Sequence, residues 1–437
     1  MTENAPRSMY RHDKGLGIWE GRGNVAAVGI GHSPTSRRWD EKPETSLGAW
    51  SILAMRNAME DAGVSPDQVD GLVVSPASLG EPWTPRPVPE DFAKAFKLTD
   101  NPNDGISQMS SEFLLNNMPE LNNVKFTIYG PGCMSNAICV AAQSVAEGLT
   151  QTCLVLTARN NLEGRYGQYG AQAAPTVSGS SQWTNVWGAV GPYYPGYWFS
   201  KYTEKYGGSH DQMAPFVVNS KRNGLLTPSG FFAQHRPEPI TVEDYLTARW
   251  INKPVNLYDC DIPMCVSTAY LFTTAERAKD MKQKPVYILN HAESRPKYRG
   301  IELTMDECHD AAENLAERMY EGAGITASDL SFENMYDGYT LFHQFMLEGL
   351  RYRGVGRGEA LDFYQTDITI SGPNPVSPSG GNAGSGRTRI WMHTDCIEQL
   401  QGRAGARQVT GVKPEIGVSG GPHPRGGDFV VWGASPD

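Results

Sequence analysis

Short apolar runs and longer amphipathic ones alternate through the first third of the chain. Val25–Ile30 is a run of β-branched and small residues ending at Gly31, the pattern of a buried strand. Between Ser46 and Ala62 the apolar positions Leu47, Trp50, Leu53, Ala54 and Ala58 recur at helical spacing, and Gly63 stops the helix. Leu72–Val74 predicts a second strand and Lys125–Tyr129 a third. The third runs into the tight turn Gly130-Pro131-Gly132, then a helix from about Ser135 to Glu147 stopped by Gly148, then the buried strand Thr152–Thr157. Strand–helix–strand with short glycine turns predicts right-handed βαβ units and a largely parallel sheet.

The pattern then changes. Tyr166–Tyr206 holds eleven aromatics in 41 residues among many Gly, Ser and Pro, and reads as a loop-rich excursion: a lid, a dimer surface or a pocket wall. Helical spacing returns from Trp198 to Asn223. Further on the chain repeats itself. Ala62-Gly63-Val64-Ser65-Pro66-Asp67-Gln68-Val69 is echoed 261 residues later by Ala323-Gly324-Ile325-Thr326-Ala327-Ser328-Asp329-Leu330. Each copy follows an amphipathic helix and precedes a short strand, which predicts two similar α/β halves.

Composition narrows the partners. The 437 residues are 39% hydrophobic with a formal charge of −10, a globular balance that argues against nucleic acid or an anionic membrane. No apolar run approaches the roughly 20 residues that span a bilayer, and Met1–Arg22 lacks a secretory apolar core, so a cytoplasmic protein is expected. Seven cysteines (133, 139, 153, 260, 265, 308, 396) without C-x-x-C spacing read as reduced thiols, with neither a disulfide framework nor a metal site. No Gly-x-Gly-x-x-Gly follows a strand, so neither nicotinamide nor flavin is expected.

Candidate chemistry centres on Phe332-Glu333-Asn334-Met335-Tyr336-Asp337-Gly338-Tyr339-Thr340. Here an ionisable Tyr336–Asp337 pair stands where a short apolar strand runs out into a loop, a place that suits acid–base work. A tyrosine at a strand end more often only packs.

The duplicated halves, the Gly130-Pro131-Gly132-Cys133-Met134-Ser135-Asn136 turn and a late Gly-rich loop together resemble the thiolase superfamily, nearest its sterol-carrier/lipid-transfer-protein branch. The resemblance covers about residues 24–433. It is carried by Leu257-Tyr258-Asp259-Cys260-Asp261-Ile262-Pro263 with Thr273-Thr274-Ala275-Glu276-Arg277-Ala278, by Tyr336–Thr340, by Pro378-Ser379-Gly380-Gly381 and by Val418-Ser419-Gly420-Gly421. It implies a thiolase fold: two duplicated βαβαβαββ halves packed as a five-layer α-β-α-β-α sandwich, plus a loop domain. The halves would be 24–275, including a loop-rich insertion at about 160–250, and 276–437.

Against the thiolase pattern the chain departs at almost every reactive position. Tyr336 stands where a thioester-binding His belongs, with Tyr339 at the following aromatic. Six residues past Gly381 comes Arg387 in place of the second His, and Val418-Ser419-Gly420 replaces Cys-x-Gly. Stepping back ten from Ala141 reaches Pro131, so Cys133 is the nucleophile only if the turn is two residues shorter. Without a base for that cysteine, Claisen chemistry is hard to run. Retro-aldol cleavage of a β-hydroxyacyl-CoA needs no acyl-enzyme and suits the same pocket.

Tyr-Asp-x-(Phe/Tyr)-Thr is similar to the motif of steroid side-chain retro-aldolases, which cleave a 17-hydroxy C22 steroid-CoA to a 17-ketosteroid and propionyl-CoA. The resemblance implies that Tyr336 is the acid–base residue and that Arg387 stands where those enzymes carry a second tyrosine. Arg387 would orient an oxyanion or bind CoA phosphate, or be a loop Arg paired with a surface carboxylate. Asp337 would orient the loop through backbone N–H groups. His393, beside Asp395, would support the site from behind, although a solvated helical His is the plainer reading. Gly380, Gly381 and Gly420 would let backbone approach the thioester, with Tyr339 and Cys133 also lining it. No cofactor is expected beyond the CoA of the acyl-CoA substrate. A homodimer and a zinc-ribbon/OB-fold partner, fused to or associated with a hydratase, are the implied partners. Two other readings are open: a thiolase or acyltransferase using Cys133, and a non-catalytic lipid-binding subunit.

Overall fold

The computed structural model describes residues 17–75, 90–98, 103–106, 109–129, 134–164, 193–294, 304–423 and 426–437. In the first half, β1 (Val25–His32), helix α1 (Leu47–Ala62), β2 (Gly71–Ser75), β3 (Phe126–Tyr129), helix α2 (Met134–Ala146) and β4 (Thr152–Arg159) follow the predicted order. An insertion carries α3 (Tyr193–Tyr206), α4 (Ala214–Leu225) and a small hairpin, β5 (Trp250–Asn252) with β6 (Val255–Asn256). The half closes with β7 (Val266–Thr274). The second half runs β8 (Val286–Ser294), α5 (Met305–Ala323), β9 (Phe332–Met335), α6 (His343–Leu350), the short α7 (Gly381–Ser385), α8 (Trp391–Gln401), β10 (Ile416–His423) and β11 (Gly426–Gly433).

The strands form one nine-membered ladder in the order β3-β2-β4-β7-β1-β8-β11-β10-β9. It is mixed, not largely parallel. Only β2 with β3 and β4, and β9 with β10, run parallel. β7 returns antiparallel between β4 and β1, and β11 returns antiparallel between β10 and β8. The βαβ pattern of the first strands says nothing about such late returning strands. Two residue pairs, Ala26 with Tyr287 and Ala27 with Val286, join the halves.

Duplication is visible in the local devices. α1 ends at Gly63 and α5 at Gly324, both in the left-handed region (φ 70° and 64°) where a Cβ is disfavoured. Each is followed by a capped 3-10 turn, Ser65 sharing Gln68 in one and Thr326 sharing Asp329 in the other, and then by a strand. Val376 bridges Glu333 in parallel, beside β9 as β3 lies beside β2.

Alternation along the strands sorts the core. Ala26 and Val28 of β1 join the apolar cluster that holds α1 and α5, while Val25 and Ala27 join the one that holds α2 and α8, and the bulge between Ala27 and Gly29 turns Ile30 to that second side. Helices α2 and α8 come from opposite halves and share that second cluster, so they lie between the halves as an inner layer. No helix of the described residues is long and apolar enough to cross a membrane.

The insertion is less loop-rich than its composition predicts. Residues 165–192 lie outside the described residues, but 193–246 is mostly helical. Pro195 falls in the first turn of α3, where its missing N–H costs nothing. Trp198 and Tyr202 are buried, against Phe342 (5.5 Å) and through the Tyr202 hydroxyl bonded to Glu348. Helix α4 lies directly on α7. A Cβ on Gly384 would stand 2.0 Å from the Ser220 carbonyl oxygen, and one on Gly224 would stand 2.0 Å from that of Gly384. Gly384→Ala is therefore expected to destabilise the chain by about 2 kcal/mol, the cost of overpacking against backbone, read as a lower urea midpoint at unchanged slope.

Candidate active site

Tyr336 leaves the end of β9, and its N–H donates to the Gly420 carbonyl (2.8 Å). A Cβ on Gly338 would lie 2.1 Å from the Tyr336 hydroxyl, so the phenol folds back over residue 338 into space that only glycine leaves. The side chain is half-buried against Gly421 and Met346. On the ring stands Arg389, its guanidinium carbon 5.4 Å from the centroid.

Asp337 points the other way, wholly buried. Its Oδ1 accepts the N–H of Asn382 (2.6 Å) and its Oδ2 that of Ala383 (3.2 Å), the first turn of α7. Burial pushes this carboxyl up to about 7, with the two backbone N–H groups and nearby His343 working against the rise. Both donors belong to the Gly-rich loop through which Asp337 is expected to act.

The Asp-Cys-Asp segment runs alongside. Asp259 is buried and collects Tyr245 Oη–H (2.8 Å) and Thr340 Oγ1–H (2.6 Å) on Oδ1, and the Asn256 N–H (2.8 Å) on Oδ2, with His210 Nε2 at 2.7 Å. Cys260 bridges Tyr339, and the Asp261 N–H donates to Gly338 O (3.2 Å). The two motifs thus meet edge to edge. This places the Asp261 carboxylate 2.9 Å from Arg387 Nε, while the Arg387 N–H donates to Ile262 O (2.8 Å). Arg387 is paired, but with a buried carboxylate and not the surface one that a loop Arg suggests.

His393 is not solvated. It lies wholly buried on α8, whose position between the halves leaves residue 393 no outer face. Nε2 is 2.9 Å from Ser135 Oγ on α2, and Nδ1 is 2.7 Å from Ser419 Oγ, which also accepts Trp432 Nε1–H (2.7 Å). Burial lowers its pKa to about 3, so it is neutral at ordinary pH. It ties the start of α2 to the Val418-Ser419-Gly420 strand.

The remaining predicted residues divide. Tyr339 is buried against Phe342 (5.7 Å). The side-chain directions of Gly380, Gly381 and Gly420 are filled by protein: the Gly224 nitrogen at 2.3 Å, Asp337 Oδ2 at 2.2 Å and the Asp428 carbonyl oxygen at 2.1 Å from the respective Cβ positions. Cys133 lies outside the described residues. Among the described residues no three His, Cys, Asp or Glu side chains are grouped to hold a metal ion.

The family described as thiolase C-terminal domain-like matches residues 298–422. The 17-hydroxy-3-oxo-4-pregnene-20-carboxyl-CoA lyase of Mycobacterium tuberculosis is 26% identical over 411 residues, covering 91% of this chain and 94% of that one. The steroid side-chain-cleaving aldolase of Thermomonospora curvata is 26% identical over 377 residues, 83% of this chain and 86% of that one. The solved Ltp2-ChsH2(DUF35) aldolase shares the fold at TM-score 0.75 and 22% identity, covering 94% of this chain and 98% of that chain. The chain has the thiolase fold, and its residues 298–422 match the thiolase C-terminal domain-like family.

Within this site, sequence reasoning missed Asp261 as the partner of Arg387, Asn382 as the backbone donor to Asp337, and Arg389 altogether. The Asp-Cys-Asp spacing hinted at the first. Nothing in the sequence joins Arg389 to a tyrosine 53 residues earlier.

Asp337 yields a pH signature. An acid whose pKa is raised on folding keeps its proton in the native chain over a window where the unfolded chain has lost it. Its contribution to stability is therefore largest below about pH 4, falls as pH rises to about 7, and is flat above. The stability difference between wild type and Asp337→Asn should narrow across that window in thermal melts. A constant difference contradicts a raised pKa.

Proposed function

We propose that this chain is a carbon–carbon lyase that performs retro-aldol cleavage of a β-hydroxyacyl-CoA, its substrate a 17-hydroxy steroid or bile-acid C22-CoA side-chain intermediate. The products are a 17-ketosteroid and propionyl-CoA. The observation that carries this reading is the proton chemistry left at the site. A tyrosine with a guanidinium on its ring is presented at a strand end, while the buried histidine nearby is neutral with both nitrogens engaged. The two curated relatives, named as a steroid acyl-CoA lyase and a side-chain-cleaving aldolase, support it.

The step balances without an acyl-enzyme. Tyr336, as phenolate, takes the proton of the β-hydroxyl. The oxygen's electron pair forms the ketone, the Cα–Cβ bond breaks, and its electrons pass into the thioester enolate. The enolate carbon then takes up a proton to give propionyl-CoA, with Tyr336 the group placed to return it. Arg387, fixed by Asp261, orients an oxyanion. Asp337 and His393 hold the loop and the strand around these groups. No cofactor beyond the substrate's own CoA is required. A homodimer and a zinc-ribbon/OB-fold partner complete the proposal, the latter supported by the aldolase complex whose fold this chain shares.

The test is product analysis by mass spectrometry after incubating a 17-hydroxy-steroid-22-oyl-CoA with the protein, with and without a co-expressed OB-fold partner. Ketone and propionyl-CoA are expected, reduced at least about a hundredfold in Tyr336→Phe, the scale of losing a general base, and retained in Cys133→Ala. An acyl adduct on Cys133 with no ketone would favour the thiolase reading. Cleavage unaffected by Tyr336→Phe would remove the tyrosine mechanism.

A further inference from the structure

A phenol ordinarily titrates near pH 10, so a tyrosine that takes a proton at neutral pH needs its anion favoured. Charged groups on several elements surround the Tyr336–Asp337 segment. Asp337 follows it in the chain, buried and protonated up to about neutral pH. Asp261 and Arg387 form a pair across the site (2.9 Å). His343 on α6 is held between Glu333 (3.3 Å) and the Tyr364 hydroxyl (2.7 Å). Arg389, between α7 and α8, faces the ring itself.

Its placement is built. Arg389 adopts a left-handed backbone, φ 63°, which residues with a Cβ rarely take. What holds it there is Asn382, whose Oδ1 accepts the N–H groups of both Thr388 (3.2 Å) and Arg389 (2.9 Å). Asn382 is in turn fixed by its own N–H donating to Asp337 Oδ1 (2.6 Å). A closed circuit results: Tyr336, its neighbour Asp337, Asn382, Arg389, and back to the Tyr336 ring. The same carboxyl that seats the Gly-rich loop also sets the height of the guanidinium over the phenol.

We infer that Arg389 is a positioning residue of this site, whose guanidinium, held over the Tyr336 ring by the Asp337–Asn382 bridge, favours the phenolate through which Tyr336 takes a substrate proton. The inference rests on the retro-aldol reading for its substrate, but the Arg389–Tyr336 coupling is a property of the protein alone. A cation over an aromatic face is attracted by the ring and more strongly by a ring carrying negative charge. Lysine keeps the charge without the planar stacking surface, whereas methionine keeps the bulk without the charge.

The experiment labels tyrosine Cζ with 13C in the full chain, assigns the Tyr336 resonance by its loss in Tyr336→Phe, and titrates from about pH 6 to about 11. The Tyr336 midpoint is expected to rise by about one pH unit in Arg389→Met and by less in Arg389→Lys. In wild type and Arg389→Met, the ascending limb of kcat/KM should move with it. An unmoved midpoint in Arg389→Met overturns the inference. If that variant does not fold, an unmoved midpoint in Arg389→Gln does so equally. Cleavage by wild type with no midpoint shift leaves the reaction standing and removes Arg389. A midpoint shift in a protein that cleaves no hydroxyacyl-CoA keeps the coupling and removes the reaction.

Discussion

One buried carboxyl group, Asp337, organises the site by taking the first N–H groups of a five-residue helix whose own sequence, Gly-Asn-Ala-Gly-Ser, has little tendency to be helical. Removing a carboxyl from water is costly unless donors receive it. Two backbone donors do so here, and the remaining cost is felt as a pKa pushed up to about 7. What the fold gains is a fixed turn. Gly381 has no room for a side chain because Asp337 Oδ2 occupies it, and Asn382, once seated, shapes the backbone as far as Arg389.

Asp259 does comparable work one layer out, with four neighbours gathered from distant parts of the chain. Tyr245 and His210 belong to the insertion, Asn256 to its hairpin, and Thr340 to the strand-end motif. Removing any single donor leaves a buried carboxylate short of a partner, the circumstance in which polar burial is most destabilising. The adjacent Asp261 then has a defined position from which to hold Arg387. Two aspartates separated by one cysteine therefore do different things. One ties the insertion to the motif, and the other tethers a cation within it.

Much of this architecture was legible because it is written in local devices. Helix stops at Gly63 and Gly324 and the capped turns after them announce themselves by residue type, and the 261-residue echo joins them into a duplication. The strand end at Tyr336 was likewise visible. Features set by distant packing were not. The antiparallel return of β7 and β11 depends on where the strands find room, and the burial of His393 follows from α8 lying between the halves. The Tyr193-Tyr194-Pro195-Gly196 start of α3 looks like a loop until Trp198 and Tyr202, further along the helix, find Phe342 and Glu348. Arg389 was illegible for the same reason: its meaning lies in a ring that only folding brings near.

The bare contact between α4 and α7 has a mechanical consequence. Where Gly224, Gly380 and Gly384 meet Ser220, main chain rests on main chain with no side chains between to bend or change rotamer. Such a joint transmits displacement without slack. Whatever pushes on the insertion moves the turn that Asp337 and Asn382 hold, and with it the guanidinium over the phenol. A shift of α4 is thereby passed to the Gly-rich turn undiminished, with no side chain between them to absorb it.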